Sequence, residues 1–478
     1  MKGAVASREY TTMKKTFGLL GEKLGHSFSP LIHGILGEYE YPLYEISPND
    51  LDTFMTERHF DGINVTIPHK QAVIPYCQSL SGKTRQIGST NTIIKDENGL
   101  LHGYNTDYYG FCIMLKYAKI DPDKKKVLVL GDGGAARTVR VALHGLGAGN
   151  VITISRRGEN NYGNIDMHYD ADILINTTPV GMYPNNGNSP LRLEGFKHLT
   201  GVVDLIYNPL RTKLLLDAER LGIPCINGLT MLVAQAEMAS RLFLAGSSPH
   251  DAHNRYSIEE IYPPGADCDS NHAASAPPDA DCSSNCTAYA PHDALNPVFR
   301  GVSSPPDIIC KITDTIQKAT RNIALIGMPG CGKSTIGGSL SKAMGRPFAD
   351  IDELIESAAG KRIPEIFEQD GEEAFRRLET QILANETKKS GIVIATGGGV
   401  VTSPENLDLL RQNSLVVYLK RNLYELVTDS RPVSQNVGIQ ALAEKRLHLY
   451  EIWSDYTVEV YSHKPSEYTV ARIMEITA

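Results

Sequence analysis

Two glycine-rich loops, each between a strand-like run and a helix-like run, constrain the fold of this chain more than any other feature. The first follows "KVLVLG" and opens the run "GAARTVRVALHGLG". The second follows "NIALIG" and reads Gly327-x-x-Gly330-x-Gly332-Lys333-Ser334. A strand, a glycine turn and a helix form the repeating unit of parallel α/β sheets, and the helix N-terminus in such a unit binds phosphate groups. The sequence therefore predicts an α/β protein with two separate phosphate-binding units.

The length and composition predict several folded units in one soluble chain. The chain has 478 residues, of which 41% are hydrophobic, and it has no apolar run near the ~18 residues that a membrane span needs. The predicted units are an N-terminal α/β domain over residues 1–104 that is completed by a helix over 229–246, a Rossmann-type domain over 105–228, a linker over 247–320 and a P-loop domain with a parallel sheet over 321–478. The linker is rich in Pro, Ala, Asp and Ser and is expected to be largely disordered, apart from an amphipathic helix over 307–319.

Charge and cysteine content exclude several classes of partner. The formal net charge of −8 gives no electrostatic reason for binding nucleic acid or a membrane surface. The N-terminus lacks the apolar core of a signal peptide, and the eight cysteines are thinly spread. We therefore expect a cytoplasmic protein with reduced thiols.

The first glycine loop is typical of a dinucleotide site. Its glycines allow a tight strand-to-helix turn and let the backbone approach a pyrophosphate. NAD-specific sites usually carry an acidic residue after the second strand, whereas this chain has Arg156 and Arg157, which suit a 2′-phosphate and favour NADP. The alternative is that these arginines lie on a solvated loop. The predicted NADP-binding residues are Gly131, Asp132, Gly133, Gly134, Ala135, Ser155, Arg156, Arg157, Leu205 and Gly228.

Seven further segments occur in order before the linker. They are "GHSFSPLIHG" (25–34), "INVTIPHK" (63–70), "IGSTNT" (87–92), "GYNTDYYG" (103–110), "NTTPVGM" (176–182), "DLIYNPLRTKLL" (204–215) and "NGLTMLVAQA" (227–236). In this order they resemble shikimate dehydrogenases over residues 16–246, which implies a substrate-binding domain in residues 1–104 and an NADP domain in 105–228.

The resemblance implies a role for each matching residue. Lys70 and Asp107 would form the catalytic pair, because an ammonium stabilises and protonates the alkoxide that hydride addition creates and a carboxylate keeps that ammonium charged. The residues that would bind the substrate are Ser27, Ser29, Thr66, Lys70, Asn91, Asp107, Tyr207 and Gln235. Two structural alternatives stay open: "PHK" as a solvated turn, and Asp107 as the N-cap of a helix.

The second glycine loop fits the P-loop pattern, whose backbone N–H groups surround phosphates. The segments that follow it are "FADIDELIE" (348–356), "FEQDGEEAFRRLE" (367–379), "VIATGGGVV" (393–401), "RPVS" (431–434) and "KRLHLYE" (445–451). In this order they resemble shikimate kinases over residues 321–478.

This second resemblance implies a nucleotide site, a metal site and an acceptor site. The ATP-binding residues would be Gly330, Cys331, Gly332, Lys333, Ser334, Thr335 and Arg431, and Mg²⁺ would be held by Ser334 and Asp350. Lys333 would also act in catalysis, together with Asp352. The acceptor would be held by Asp352, Arg376, Gly397, Gly398, Gly399 and Arg446. Each of these motifs alone has a structural alternative: "RR" could be a salt-bridged helix face and "GGG" an ordinary loop.

Taken together, the two resemblances imply successive reactions on one chain. The first half would reduce 3-dehydroshikimate to shikimate with NADPH, and the second half would phosphorylate shikimate with ATP and Mg²⁺. The alternative is a quinate/shikimate dehydrogenase that is fused to a kinase-like nucleotide sensor. We expect the intermediate to pass through bulk solution, because a flexible linker would let the two sites lie tens of ångströms apart. The sequence leaves open whether the protein is a monomer or a homodimer.

Overall fold

The computed structural model describes residues 15–25, 27–245, 305–426 and 438–477. These residues form three sheets, each covered by helices, so the predicted α/β class is confirmed. Over residues 247–304 the linker prediction lies outside the described residues.

The first sheet is mixed and lies in residues 17–104. Its strands are β1 (Phe17–Gly21), β2 (Leu43–Glu45), β3 (Gly62–Val65), β4 (Ser79–Leu80), β5 (Thr92–Lys95) and β6 (Leu101–Tyr104), in the order β2-β1-β3-β5-β6-β4. Strand β5 runs antiparallel to both of its neighbours, and the other pairs are parallel. The helices of this part are α1 (Ser29–Leu36), α2 (Leu51–Glu57), α3 (Gly82–Ile87) and the 3-10 turn Ile74–Tyr76.

The second sheet is fully parallel. Its strands are β7 (Lys126–Leu130), β8 (Asn150–Ile154), β9 (Ile173–Asn176), β10 (Gly201–Asp204) and β11 (Cys225–Ile226), in the order β11-β10-β9-β7-β8. The helices are α4 (Thr106–Tyr117), α5 (Gly134–Gly145), α6 (Lys213–Arg220), α7 (Leu229–Ala245) and the 3-10 turn Ile165–His168. Strand β8 lies on one side of β7, and β9, β10 and β11 lie on the other, so the strand order reverses between β7 and β9. In open α/β sheets a ligand crevice lies at the carboxyl ends of the strands at such a reversal.

Helix α7 returns from the second sheet to the first. Phe243, near the end of α7, stacks on Phe17 of β1 with ring centroids 4.5 Å apart. Along its length α7 packs closely on α4: a Cβ added at Gly110 would lie 2.6 Å from the carbonyl oxygen of Met231. This close approach brings Gln235 of α7 beside the first turns of α4.

The third sheet is also parallel and contains the second glycine loop. Its strands are β12 (Asn322–Ile326), β13 (Phe348–Asp350), β14 (Val393–Ala395), β15 (Ser414–Arg421) and β16 (Tyr456–Val460), in the order β13-β14-β12-β15-β16. The helices are α8 (Pro305–Thr320), α9 (Lys333–Met344), α10 (Ile351–Ala359), α11 (Ile363–Gln369), α12 (Gly371–Glu386), α13 (Glu405–Asn413), α14 (Ile439–Trp453) and α15 (Ser466–Thr477), with 3-10 turns at Val400–Thr402 and Leu423–Glu425. The central strand β12 leads directly into the glycine loop.

Helix α8 confirms the amphipathic helix predicted over 307–319 but corrects its assignment to the linker. Ile309, Ile312 and Ile316 are fully or almost fully buried and lie in one hydrophobic cluster with residues of α1, α4 and α7. Apolar residues three and four positions apart share one face of a helix, which explains this packing. Although α8 directly precedes β12, it packs on the first half of the chain.

Within the described residues, no helix combines the length and the apolar character that crossing a bilayer would require.

Two candidate active sites

The predicted catalytic pair of the first half is assembled. Lys70 follows β3 through a short turn, and Asp107 lies in the first turn of α4. Lys70 Nζ lies 2.5 Å from Asp107 Oδ2, and both side chains are largely but not fully buried. The N-cap of α4 is Asn105, whose side chain accepts a hydrogen bond from the N–H of Tyr108. Asp107 is therefore not the cap, so one structural alternative for it is removed.

A row of amide and hydroxyl groups lies next to this pair. Asn91 Oδ1 accepts a hydrogen bond from the N–H of Thr106 over 2.7 Å, and its Nδ2 donates to Thr106 Oγ1 over 3.0 Å. Thr106 Oγ1 in turn donates to Gln235 Oε1 over 3.3 Å. Since Thr106 directly precedes Asp107, this network fixes Asn91 and Gln235 beside the Lys70–Asp107 pair.

The remaining substrate residues of the first half come from three loops. The N–H of Ser29, the first residue of α1, donates to Ser27 Oγ over 3.2 Å. The N–H of Thr66 donates to the carbonyl oxygen of Leu20 at the end of β1 over 2.8 Å. Tyr207, in the loop after β10, lies with its ring centroid 5.6 Å from that of Phe28, which stands between the two serines.

Asn64 belongs to the same polar surface, although the sequence analysis did not single it out. It is 5% exposed, accepts a hydrogen bond from Tyr41 over 2.7 Å and donates to Thr92 Oγ1 over 3.0 Å. Asn64 therefore connects Tyr41 with Thr92, the neighbour of Asn91. In the sequence, the feature that could have identified Asn64 is that it is the polar residue within the otherwise apolar strand β3.

The first glycine loop lies at the carboxyl end of β7, next to the topological reversal. Gly131 has a φ of 102°, Gly133 is the N-cap of α5, and Gly134 is the first residue of that helix. Asp132 and Ala135 are exposed, and a Cβ added at Gly133 or Gly134 would meet no atom within 4 Å. The loop therefore presents the helix N-terminus on an open face, where a pyrophosphate fits.

The other predicted cofactor residues surround the same crevice. Ser155 is buried directly after β8, and Arg156 and Arg157 are exposed beyond it. Leu205 follows β10, and its backbone is in contact with that of Gly228: a Cβ added at Gly228 would lie 2.0 Å from the carbonyl oxygen of Leu205. Two exposed guanidinium groups at the end of β8 are placed to pair with a charged group on a ribose.

The second glycine loop has the backbone of a phosphate-binding turn. Gly327, Gly330 and Gly332 all have positive φ, and Gly332 is the N-cap of α9. The Lys333 side chain is 6% exposed, and its Nζ donates to the carbonyl oxygens of Gly327 over 2.9 Å and Met328 over 3.1 Å. Cys331 is buried, and Ser334 and Thr335 are exposed in the first turn of α9.

The predicted acceptor residues converge on the glycine run after β14. A Cβ at Gly397 would lie 2.9 Å from Asp352 Oδ1, and one at Gly399 would lie 2.2 Å from Arg376 Nη1. Arg446, from α14, donates to the carbonyl oxygen of Gly398 over 3.2 Å. The glycines are needed because larger residues would displace these side chains.

Asp350 and Glu379 complete the second site. Asp350 caps α10: its Oδ1 accepts hydrogen bonds from the N–H groups of Asp352 and Glu353. Glu379 has no exposed side-chain surface and pairs with Arg376 at 2.7 Å. Burial raises the pKa of Glu379, while the adjacent Arg376 charge lowers it. The sequence analysis missed Glu379, and its position three residues after Arg376 on one helix was the available signal. The predicted nucleotide contact Arg431 lies outside the described residues.

Comparisons with known protein families match both halves of the chain. Residues 19–93 match the family described as shikimate dehydrogenase substrate binding domain, and residues 329–477 match the family described as shikimate kinase.

Individual relatives match the first half. The NADP-dependent shikimate dehydrogenase of Clostridium perfringens (strain SM101) is 38% identical over 252 residues, which cover 48% of this chain and 92% of that protein. The corresponding enzyme of Moorella thermoacetica is 36% identical over 261 residues, covering 48% and 88%. The crystal structure of shikimate dehydrogenase 1 from Peptoclostridium difficile has a TM-score of 0.45 and 33% identity, covering 50% of this chain and 97% of that one.

Proposed function

This chain is a bifunctional shikimate-pathway enzyme that belongs by its first half to the shikimate dehydrogenase family, and we propose that it converts 3-dehydroshikimate to shikimate and then to shikimate 3-phosphate. The observation that carries the first step is the Lys70–Asp107 pair, 2.5 Å apart beside the Asn91 network. The observation that carries the second is the convergence of Asp352, Arg376 and Arg446 on the glycines after β14.

In the dehydrogenase half, NADPH would supply the hydride from the crevice at the end of β7. Negative charge then develops on the former ketone oxygen, and the Lys70 ammonium is suited to stabilise this charge and to donate a proton. Asp107 holds Lys70 in place by accepting a hydrogen bond from its Nζ. The amides of Asn91 and Gln235 are expected to orient the ring hydroxyls of the substrate.

The cofactor preference follows from charge. Arg156 and Arg157 carry the proposed contact with the 2′-phosphate of NADP, because guanidinium groups pair bidentately with phosphate. Asp132 is exposed at the turn, so its carboxylate is free to point away from the pyrophosphate.

In the kinase half, the chain contributes positioning and positive charge. Lys333 would contact the β and γ phosphates of ATP, and Arg376 and Arg446 would bind the carboxylate of shikimate. Asp352 is placed to accept a hydrogen bond from the acceptor hydroxyl. Little covalent chemistry is required of protein groups in phosphoryl transfer, so positioning and positive charge are the contributions that support this proposal.

The residues proposed for Mg²⁺ fit a hard cation. Ser334 and Asp350 offer oxygen ligands, which Mg²⁺ prefers. Asp350 Oδ1 accepts the hydrogen bonds that cap α10, and the carboxylate would hold Mg²⁺ through water. When bound, Mg²⁺ would neutralise charge on the transferring phosphoryl group.

A dehydrogenase fused to a nucleotide sensor that lacks turnover is the less favoured alternative. A sensor would need only the P-loop, whereas in this chain two arginines and an aspartate also converge on the glycine run after β14, which supports an acceptor site there. A cytoplasmic location stays a prediction from the sequence.

Product analysis of the purified full-length protein tests the proposal. With 3-dehydroshikimate and NADPH we expect shikimate, and on addition of ATP and Mg²⁺ we expect shikimate 3-phosphate, both identified by mass. The variant Lys70→Met should lower the dehydrogenase kcat by about 10²–10⁴-fold and leave the kinase unchanged, while Lys333→Met should do the reverse. Each variant thus controls for the folding of the other. Oxidation of NADPH by Lys70→Met at the wild-type rate would refute the assignment of Lys70.

A further inference from the structure

The dehydrogenase half and the kinase half are in direct contact through opposite edges of their sheets. On the dehydrogenase side the contact is made by the loop after β9 (residues 177–189, the β9 loop), the loop after β10 (205–212, the β10 loop) and helix α6. Both loops lie at the carboxyl edge of the cofactor sheet. On the kinase side the contact is made by helix α13 and by residues just before β14 and β15, at the amino edge of that sheet.

The centre of this contact is a reciprocal amide pair. Asn186 Nδ2 donates to Gln412 Oε1, and Gln412 Nε2 donates to the carbonyl oxygen of Asn186 over 3.2 Å. The two residues are 4% and 3% exposed. The carbonyl oxygen of Gln412 also accepts a hydrogen bond of 2.9 Å from the N–H of Arg211. One kinase residue thus binds both loops of the dehydrogenase half.

Further polar contacts surround the amide pair. Tyr183 in the β9 loop donates to the carbonyl oxygen of Thr387 over 3.1 Å. Arg220 on α6 pairs with Asp408 on α13, and Lys213 lies 3.8 Å from the same carboxylate. The two amides are thus buried and paired with each other, with charged groups on one side of them at the rim of the contact.

The loops held by Gln412 are also connected to the dehydrogenase site. The N–H of Tyr183 donates to the carbonyl oxygen of Asn208 over 3.2 Å, so the β9 loop supports the β10 loop. Tyr207 precedes Asn208 in the chain, and its ring packs on that of Phe28. Phe28 lies in the sequence between Ser27 and Ser29, two residues of the proposed substrate site. At the other end of the β10 loop, Thr212 Oγ1 donates to Asp204 Oδ2 over 2.7 Å. A change in the position of Arg211 or Asn186 would therefore change the position of Tyr207, because both loops are hydrogen-bonded to each other.

We propose that the kinase half is an internal docking partner that fixes the β9 and β10 loops of the dehydrogenase half, with Gln412 as a positioning residue for the dehydrogenase reaction. This inference rests on the proposed function. It predicts that a substitution in the kinase half changes how the dehydrogenase half binds its substrate. Gln412 itself lies at the amino edge of the kinase sheet, away from the P-loop and the glycine run, which follow the carboxyl ends of β12 and β14.

The test is a double-mutant cycle in the full-length protein with Gln412→Ala and Asn186→Ala. In NADP⁺-dependent oxidation, each single variant should raise the KM for shikimate by about three- to tenfold, with a smaller change in kcat. Because the two residues bind each other, the double variant should be affected no more than the single variants. The kinase KM values for shikimate and ATP should stay at wild-type values. The matched control is Gln381→Ala on the exposed surface of α12, which should change neither activity.

Other outcomes overturn the inference. An unchanged dehydrogenase KM in folded Gln412→Ala would show that the contact does not position the loops. A parallel loss of both activities would indicate general destabilisation instead. Should Gln412→Ala fail to fold, the variant Asp408→Asn at the rim of the contact replaces it. Its dehydrogenase KM for shikimate should rise by about two- to threefold, and the same two outcomes would overturn the inference. If the wild-type protein itself fails to oxidise shikimate with NADP⁺, the proposed function is wrong and not merely the docking.

Discussion

Arg376 and Glu379 form a buried ion pair against the glycine run after β14 of the kinase half. Arg376 Nη1 lies 2.7 Å from Glu379 Oε2, and the Glu379 side chain has no exposed surface. A second carboxylate, Glu372, pairs with the other terminal nitrogen of Arg376 at 3.2 Å. The guanidinium plane is therefore fixed from one side, and its Nη1 lies against Gly399.

The variant Glu379→Gln should weaken shikimate binding by the kinase. It keeps an oxygen acceptor for Arg376 but removes the charge, and charge-assisted hydrogen bonds are roughly twice as strong as neutral ones. We expect the kinase KM for shikimate to rise by about tenfold, while the KM for ATP stays the same. Steady-state kinetics at saturating ATP measures this.

The chain contains a matched control for this variant. Arg377 and Glu373 form a 2.7 Å pair on the same helix, but both side chains are exposed to solvent. Since exposed ion pairs contribute little, Glu373→Gln should leave the KM for shikimate unchanged. Equal effects of the two substitutions would mean that Glu379 does not position Arg376.

The variant Asp204→Asn should alter how stability depends on pH. Asp204 is fully buried, and burial raises its pKa from 3.8 to about 7 in spite of hydrogen bonds from Thr212, Ile206 and Asn176. The folded state therefore binds more protons than the unfolded state between about pH 4 and pH 7. As the pH rises through this window, the free energy of unfolding of the wild type should fall relative to that of Asp204→Asn. The decrease should reach roughly 4 kcal/mol.

Differential scanning calorimetry at several pH values between 4 and 8 measures this difference. The control is Asp166→Asn, because Asp166 lies exposed in the same domain. A constant difference between wild type and Asp204→Asn across the range would show that Asp204 is ionised throughout.

The double variant Arg156→Ala/Arg157→Ala should abolish the preference for NADP⁺. These side chains are exposed at the end of β8, where their proposed partner is the 2′-phosphate. We expect the KM for NADP⁺ to rise by about 100-fold, whereas oxidation with NAD⁺ should be unaffected. Arg192→Ala, which removes an exposed arginine elsewhere in the domain, is the control. Similar losses with both cofactors would instead assign the arginines to the shared part of the dinucleotide.

Residues whose roles depend on local backbone geometry could be predicted from the sequence. The P-loop glycines, Lys333 and the turn at Gly131 lie where a strand, a turn and a helix follow each other directly, so their spacing in the sequence determines their arrangement. The Lys70–Asp107 pair joins residues 37 positions apart. It was predicted only from the resemblance, because spacing gives no information about a contact between two elements.

Contacts between elements account for what the sequence analysis missed. Asn64 interrupts the apolar run of β3 and Glu379 lies three residues after Arg376, but only the packed structure shows which neighbours these two residues bond. The apolar stripe of α8 is periodic but does not say which surface it covers, and the Asn186–Gln412 pair has no periodic signal. The sequence analysis therefore treated the two halves as joined only by a flexible linker.

The polarity of the sheets bears on how shikimate travels between the two sites. The kinase meets the dehydrogenase through the amino edge of its sheet, whereas Lys333 and the glycine run lie beyond the carboxyl edge. The five residues of β12 alone separate these edges by about 16 Å at ~3.3 Å per residue. The proposed acceptor site therefore lies on the side of the kinase sheet that is turned away from the dehydrogenase contact.

Shikimate should accordingly pass through bulk solution between the two reactions. With ¹³C-labelled 3-dehydroshikimate, NADPH, ATP and an excess of unlabelled shikimate, the label in shikimate 3-phosphate should equal its share of the free shikimate pool. A mixture of the Lys70→Met and Lys333→Met proteins is the control, because each molecule then carries only one activity and transfer must occur through solution. Wild type and mixture should show the same label content and the same lag before product appears. A higher label content in the shikimate 3-phosphate made by the wild type than in that made by the mixture would demonstrate direct transfer. The two halves would then have to change their relative orientation during turnover.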